Sequence, residues 1–141
     1  MDHRSILIVE DNSDDTLLLQ GALDAANVNC PLVLTKDGKE AEDYLFKLSE
    51  GNDQLPGLIF LDLTLPSLSG MKLLQDLRAN PATRRIPVIV ITGSQEQQDL
   101  LDSYNSGANS YVRKGGHIAE FHEKIKCLCR YWLEVCRLPA Y

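Results

Sequence analysis

Five residues of this 141-residue chain have side chains suited to one chemistry, and each closes a short apolar run. Glu10 and Asp11 follow "SILIV", Asp62 follows "GLIFL", Thr92 ends "IPVIVIT" and Lys114 ends "SYVRK". A carboxylate beside a run that must be buried needs a reason, because a charge taken out of water without a partner is costly. Three carboxylates brought together raise one another's pKa and repel unless a cation neutralises them. Mg2+ suits such a set, since it takes oxygen ligands, uses one or two carboxylates, keeps waters and accepts a phosphate oxygen. A metal, a carboxylate nucleophile, a hydroxyl and a lysine together serve phosphoryl transfer, where charge on the moving group must be neutralised while the oxygens stay in line. Asp62 is then the phosphate acceptor, ionised at neutral pH from its ordinary pKa of about 3.9. Thr92 is placed to hydrogen-bond one phosphoryl oxygen, and Lys114 to set an ammonium against another.

These residues work together only if the fold gathers them. Short β-branched runs alternate with longer segments of helical period, the pattern of a parallel sheet with helices on both faces. The expected strands are residues 5–10, 31–35, 57–62, 86–92 and 110–114, the second and fifth being the weakest patterns. Asn12 or Ser13 caps a helix running to about Asn27, with Asp14 and Asp15 in the first turn where the helix dipole favours acids. A second helix spans residues 37–51 and closes on Gly51; a third starts near Gly70 and stops by Asn80, ahead of Pro81. A fourth covers about residues 95–106, ending at Gly107, and a long amphipathic helix runs from His117 to Arg137. In an open parallel sheet, ligands sit outside the C-terminal ends of the strands, which is where the five residues fall.

Composition narrows the function classes. With 14 basic and 20 acidic residues the net charge is −6, which repels a phosphate backbone, so nucleic acid is not an expected partner. No run approaches the ~20 apolar residues of a membrane span, and the acidic N-terminal segment is too short of apolar residues for a signal core, so a cytoplasmic protein is expected. Cys30, Cys127, Cys129 and Cys136 lack metal-site or Cys-x-x-Cys spacing and read as buried reduced thiols. His3, His117 and His122 show no ligand spacing. Each site residue also has a plainer reading: Asp62 as a turn former, Glu10 and Asp11 as acids facing a helix N-terminus, Thr92 and Lys114 as ordinary strand and surface residues. Their joint position at the strand ends favours the chemical reading.

The same residues resemble the receiver domains of two-component response regulators. "ILIVEDN" matches the acidic pair, "LIFLDLTLPSLSG" the phosphorylated Asp with Pro66 and Gly70, "VIVITG" Thr92 and "SYVRK" Lys114. The intervals of 30 residues from Asp62 to Thr92 and 52 to Lys114 fit the family pattern. The resemblance implies a flavodoxin-like, doubly wound (βα)5 three-layer sandwich with a five-stranded parallel sheet of order 2-1-3-4-5. It implies metal ligation by Glu10, Asp11, Asp62 and the backbone carbonyl of Thr64. It also implies a switch in which Thr92 moves toward the phosphoryl group and Tyr111, three residues before Lys114, fills the space left. In this chain Gly115 and Gly116 replace the family's usual cis-proline after the lysine.

Only 27 residues follow Lys114, enough for a fifth helix and a tail, so the expected output is a contact made by this one domain. Ile118, Phe121, Ile125, Leu128, Trp132 and Val135 form a stripe, widened by Cys129, Leu133 and Cys136 to about 160° of the helix. Residues 130–141 are expected to carry Tyr131, Trp132, Leu133 and Leu138 beyond what the domain can cover, favouring a homodimer built on the helix 4, strand 5 and helix 5 face. The "YWLEVCRLP" tail resembles that of the small response regulators of cyanobacterial phytochromes, which implies a phytochrome histidine kinase as phosphodonor. A turnover phosphatase of the haloacid-dehalogenase type would need Asp-x-Asp, and Thr64 stands at that second position. A phosphorylation-independent adaptor is the remaining alternative.

Overall fold

The computed structural model describes residues 4–139 and places five strands in one parallel sheet of order β2-β1-β3-β4-β5. In chain order the elements are β1 (Ile6–Val9), α1 (Ser13–Ala25), β2 (Leu32–Thr35), α2 (Gly38–Glu50), β3 (Leu58–Leu61), α3 (Gly70–Ala79), β4 (Val88–Thr92), α4 (Gln97–Asn105), β5 (Ser110–Arg113) and α5 (Ile118–Cys129). The strand order is the one that the resemblance implied. The two weakest strand patterns, β2 and β5, are the sheet edges, where only one side is paired and continuous apolar character is not required. His3, Ala140 and Tyr141 lie outside the described residues.

Alternation along the central strands builds two cores. Leu7, Val9, Ile59, Leu61, Val88 and Val90 face α2 and α3, packing on Ala41, Leu45, Leu73, Leu74 and Leu77. Ile6, Ile8, Leu58, Phe60, Ile89 and Ile91 face the other way, onto Leu19 and Leu23 of α1 and Phe121 and Ile125 of α5. Burial on both faces is why these strands read as unbroken apolar runs, and at about 25 cal/mol per Å2 of apolar surface it is the main stabilising term. Helix α4 is held less firmly: Ser103 is its one fully buried residue, and its N-terminus has no side-chain cap.

Four expectations are corrected. The long C-terminal helix is α-helical only to Cys129; Arg130–Val135 continues as a π-helical turn, closed by the Cys136 N–H donating to the Tyr131 carbonyl at 2.6 Å. The wider turn rotates less per residue, which lets the consecutive Trp132 and Leu133 both pack on the α1/α5 core. The domain therefore covers part of the tail that was expected to lie bare, while Tyr131 is 50% and Val135 61% exposed. Leu138 is half-buried. Of the four thiols, all free, only Cys129 is buried; Cys127 is exposed because it falls on the solvent side of α5. Helix α4 begins at Gln97 rather than near residue 95, since Ser94 and Glu96 spend their groups on a turn in which the Glu96 N–H donates to Ser94 Oγ at 3.2 Å.

Candidate functional site

The sheet delivers the five residues to one rim through its own ladder. The Glu10 N–H donates to the Thr35 carbonyl at 3.0 Å, the Asp62 N–H to the Val9 carbonyl at 3.0 Å and the Lys114 N–H to the Thr92 carbonyl at 2.8 Å. Glu10, Asp62 and Lys114 sit one position past the last paired residue of their strands, Asp11 two past and Thr92 at it, so the register that buries the apolar runs also levels the polar ends.

Asp62 lies under a loop that approaches it closely. A Cβ added at Gly70 would meet the Asp62 carbonyl oxygen at 2.2 Å and Leu63 Cα at 2.7 Å, so the start of α3 packs against the site strand only because residue 70 has no side chain. The Gly70 N–H donates to the Leu63 carbonyl at 3.1 Å, and Ser69 caps α3 by accepting from the Lys72 N–H at 3.2 Å. On the other side, Gly115 and Gly116 take φ values of +113° and +75°, and no peptide bond among the described residues is cis. The loop after Lys114 thus turns through glycine's left-handed freedom.

At the centre, Lys114 gathers carboxylates from three elements. Its Nζ donates to Glu10 Oε1, to Asp15 Oδ2 at 2.9 Å and to Asp62 Oδ2 at 3.2 Å, which uses all three ammonium protons. Asp62 Oδ1 accepts the Thr64 N–H at 3.2 Å. Burial works against the Lys114 charge, but the hydrogen bonds with Asp15 and Glu10 and the charge of Asp62 outweigh it and hold its pKa above the ordinary lysine value. The Glu10 pKa is raised as well, to about 7, first by burial and then by the neighbouring Asp62 carboxylate, with Lys114 offsetting part. Carboxylate oxygens of Glu10, Asp11 and Asp62 lie within 4.8 Å of one another. Glu10 Oε2 is buried and has no hydrogen-bond partner among the described residues, an unsatisfied oxygen that suits a hard cation. The residues therefore fit a divalent metal.

Thr92 is buried on the neighbouring strand, its Oγ1 accepting the Ser94 N–H at 3.3 Å. Ser94 Oγ in turn donates to Asp99 Oδ2 of α4 at 2.5 Å, linking the β4 end to α4. Tyr111 is half-buried against the α2/α3-side core rather than in the carboxylate cluster, and burial raises its phenol above the ordinary pKa. The structure thus joins Glu10, Asp11, Asp62 and Lys114 directly, sets Thr92 and Thr64 at the same rim, and keeps Tyr111 one layer away. Asp15 is the residue that sequence reasoning left as a helix-dipole acid. Its place four residues after Asp11, one turn into a helix leaving the rim, was the available signal.

A model of the response regulator receiver domain matches residues 6–126. The chain is 35% identical over 136 residues to response regulator Rcp1 of Synechocystis sp., covering 96% of this chain and 92% of that protein. The phosphorylated cyanobacterial phytochrome response regulator RcpA superposes with a TM-score of 0.88 at 34% identity, covering 99% of this chain and 100% of that one. The Mn2+-bound form of Rcp1 gives a TM-score of 0.84 at 32% identity, covering 97% and 99%.

Proposed function

The chain belongs to the response regulator receiver domain family, and we propose that it accepts a phosphoryl group on Asp62 from a histidine kinase of phytochrome type in the cytoplasm. The observation that carries this reading is the position of the Asp62 carboxylate, held at the β3 end between the Thr64 N–H and the Lys114 ammonium beside Glu10 and Asp11. A carboxylate oxygen of Asp62 attacks the phosphorus of a phosphohistidine; the new O–P bond forms as the N–P bond breaks, and the departing imidazole takes a proton from solvent. Lys114 offsets the charge gathering on the phosphoryl oxygens, and the Thr92 hydroxyl donates to one of them.

Glu10, Asp11 and Asp62 with the Thr64 carbonyl would hold Mg2+, an all-oxygen set that suits a hard cation. When bound, the ion neutralises the carboxylates and the transferring group. The same pocket admits water to the acyl phosphate, so the protein returns itself to the resting state without turning over an outside substrate. Movement of Thr92 breaks its bond with the Ser94 N–H and, through Ser94 and Asp99, biases α4, whose weak anchoring makes it the element with two arrangements. Tyr111 moves into the space left, and the α4–β5–α5 face changes. On that face Leu101 and Tyr104 of α4 and Ile118 of α5 are exposed, and with Tyr131, Trp132, Leu133 and Leu138 of the tail they form the homodimer surface. Tyr131 offers the most exposed ring of that tail set, and Trp132 stacks edge-on beneath it at 5.1 Å.

The test is intact mass after incubation with acetyl phosphate and Mg2+, with D62N and metal-free samples beside it and sizing chromatography of each. One phosphoryl adduct that needs both Asp62 and metal is expected. No adduct, together with no binding of beryllium fluoride, would leave a phosphorylation-independent adaptor as the account.

A further inference from the structure

We propose that Asp15 is the positioning residue for Lys114, the one anchor of the ammonium that stays in place when Glu10 and Asp62 are engaged by metal and phosphoryl group. The inference rests on the reading of Asp62 as phosphoryl acceptor. Three carboxylates share the three protons of Lys114, but their situations differ. Glu10 and Asp62 belong to the converging trio that fits a cation, and Asp15 does not. Filling the trio therefore competes for two of the three acceptors and leaves the third untouched.

Asp15 is built to be rigid. It lies in the first turn of α1, its own N–H donates to the Asn12 side chain at 3.0 Å, and the Thr16 hydroxyl donates to the Asn12 carbonyl at 3.1 Å, so the cap fixes the backbone that carries it. Lys114 is the opposite, a flexible four-carbon stem on an edge strand followed by two left-handed glycines. With Asp15 present, one proton of the ammonium is fixed and the other two are free to meet phosphoryl oxygens. Without it, the stem has the choice of solvent or of clinging to Glu10 and Asp62.

The experiment uses D15A, D15N and D15E, alone and combined with K114M. Initial rates of acyl phosphate formation from acetyl phosphate are followed by intact mass at saturating Mg2+, and Mg2+ Kd values by calorimetry. D15A is expected to slow formation roughly tenfold, the scale of one charge-assisted hydrogen bond, with D15N between and D15E recovering most of the rate. The Mg2+ Kd should change far less than the rate. In metal-free protein, thermal unfolding should show D15A and K114M to be non-additive, since either one removes the same bond. Wild-type rates in D15A, or additive losses of stability with K114M, would overturn the inference while leaving the acceptor role of Asp62 standing. Absence of an adduct on the wild-type protein would overturn both.

Discussion

Removing the charge of Glu10 should stabilise the metal-free protein, although the side chain bonds the central lysine. Glu10 is buried at 7% exposure, and its pKa rises from 4.5 to about 7, first through burial and then through Asp62. The folded state holds this proton more tightly than the unfolded chain does. The associated stability is fully present below pH 4.5 and is lost as pH rises through 7. At about 1.4 kcal/mol per unit, the ionised group costs on the order of 3 kcal/mol above pH 8. That cost is already net of the Lys114 bond, which lowers the Glu10 pKa, so Glu10→Gln should gain on the order of 3 kcal/mol at pH 8. The assay is urea unfolding in EDTA from pH 5 to 8.5, for the wild type and E10Q. The wild type should gain stability as pH falls through 7, and E10Q should lose that slope. Mg2+ should raise wild-type stability by mass action and leave E10Q nearly unchanged. An E10Q protein less stable than the wild type at pH 8 without metal, or one that keeps the slope, would show that the burden on Glu10 is not burial of its charge.

Other outcomes follow from the geometry. Gly70→Ala must push the β3–α3 loop away from Asp62, costing about 1 to 3 kcal/mol in denaturant unfolding and slowing adduct formation more than it lowers Mg2+ affinity. Arg78 donates to the carbonyls of Gly107, Arg84 and Ile86 and to Asn109 Oδ1, tying α3 to the loops that lead into β4 and β5. Arg78→Ala should therefore cost about 2 to 3 kcal/mol, read by thermal unfolding, without changing the phosphorylated residue. Burial pushes the Cys129 thiol up to about 12, so at pH 8 a thiol reagent should modify exposed Cys127 in the native protein and reach Cys129 only on unfolding, as peptide mapping would show.

Much of the fold is legible because buried parallel strands must be apolar on both faces. "ILIV", "LIFL" and "VIVIT" stand out against their surroundings, and the polar residue that ends each one is conspicuous for the same reason. Pro81 and Gly107 marked helix ends through backbone chemistry alone. What the sequence hid is of another kind. Asp15 reaches Lys114 across 99 residues of chain, a pairing set by where α1 leaves the sheet and not by any local spacing. The π turn at Arg130–Val135, in which the consecutive Trp132 and Leu133 both pack on the core, interrupts an apolar stripe that continues at α-helical period in the sequence. Cys127 and Cys129, by contrast, differ in burial as the apolar stripe of α5, which includes Cys129 and not Cys127, would have told, although the absence of ligand spacing alone grouped all four thiols as buried.

The central claim is that Asp62 carries the phosphoryl group, and an acyl phosphate can be located chemically. Protein incubated with acetyl phosphate and Mg2+ is reduced with borohydride, which converts a phosphorylated aspartate to homoserine, and the digest is sequenced by mass spectrometry. Homoserine at position 62, absent without Mg2+, is the predicted result. Homoserine at Asp11 or Asp15 with residue 62 intact would contradict the account.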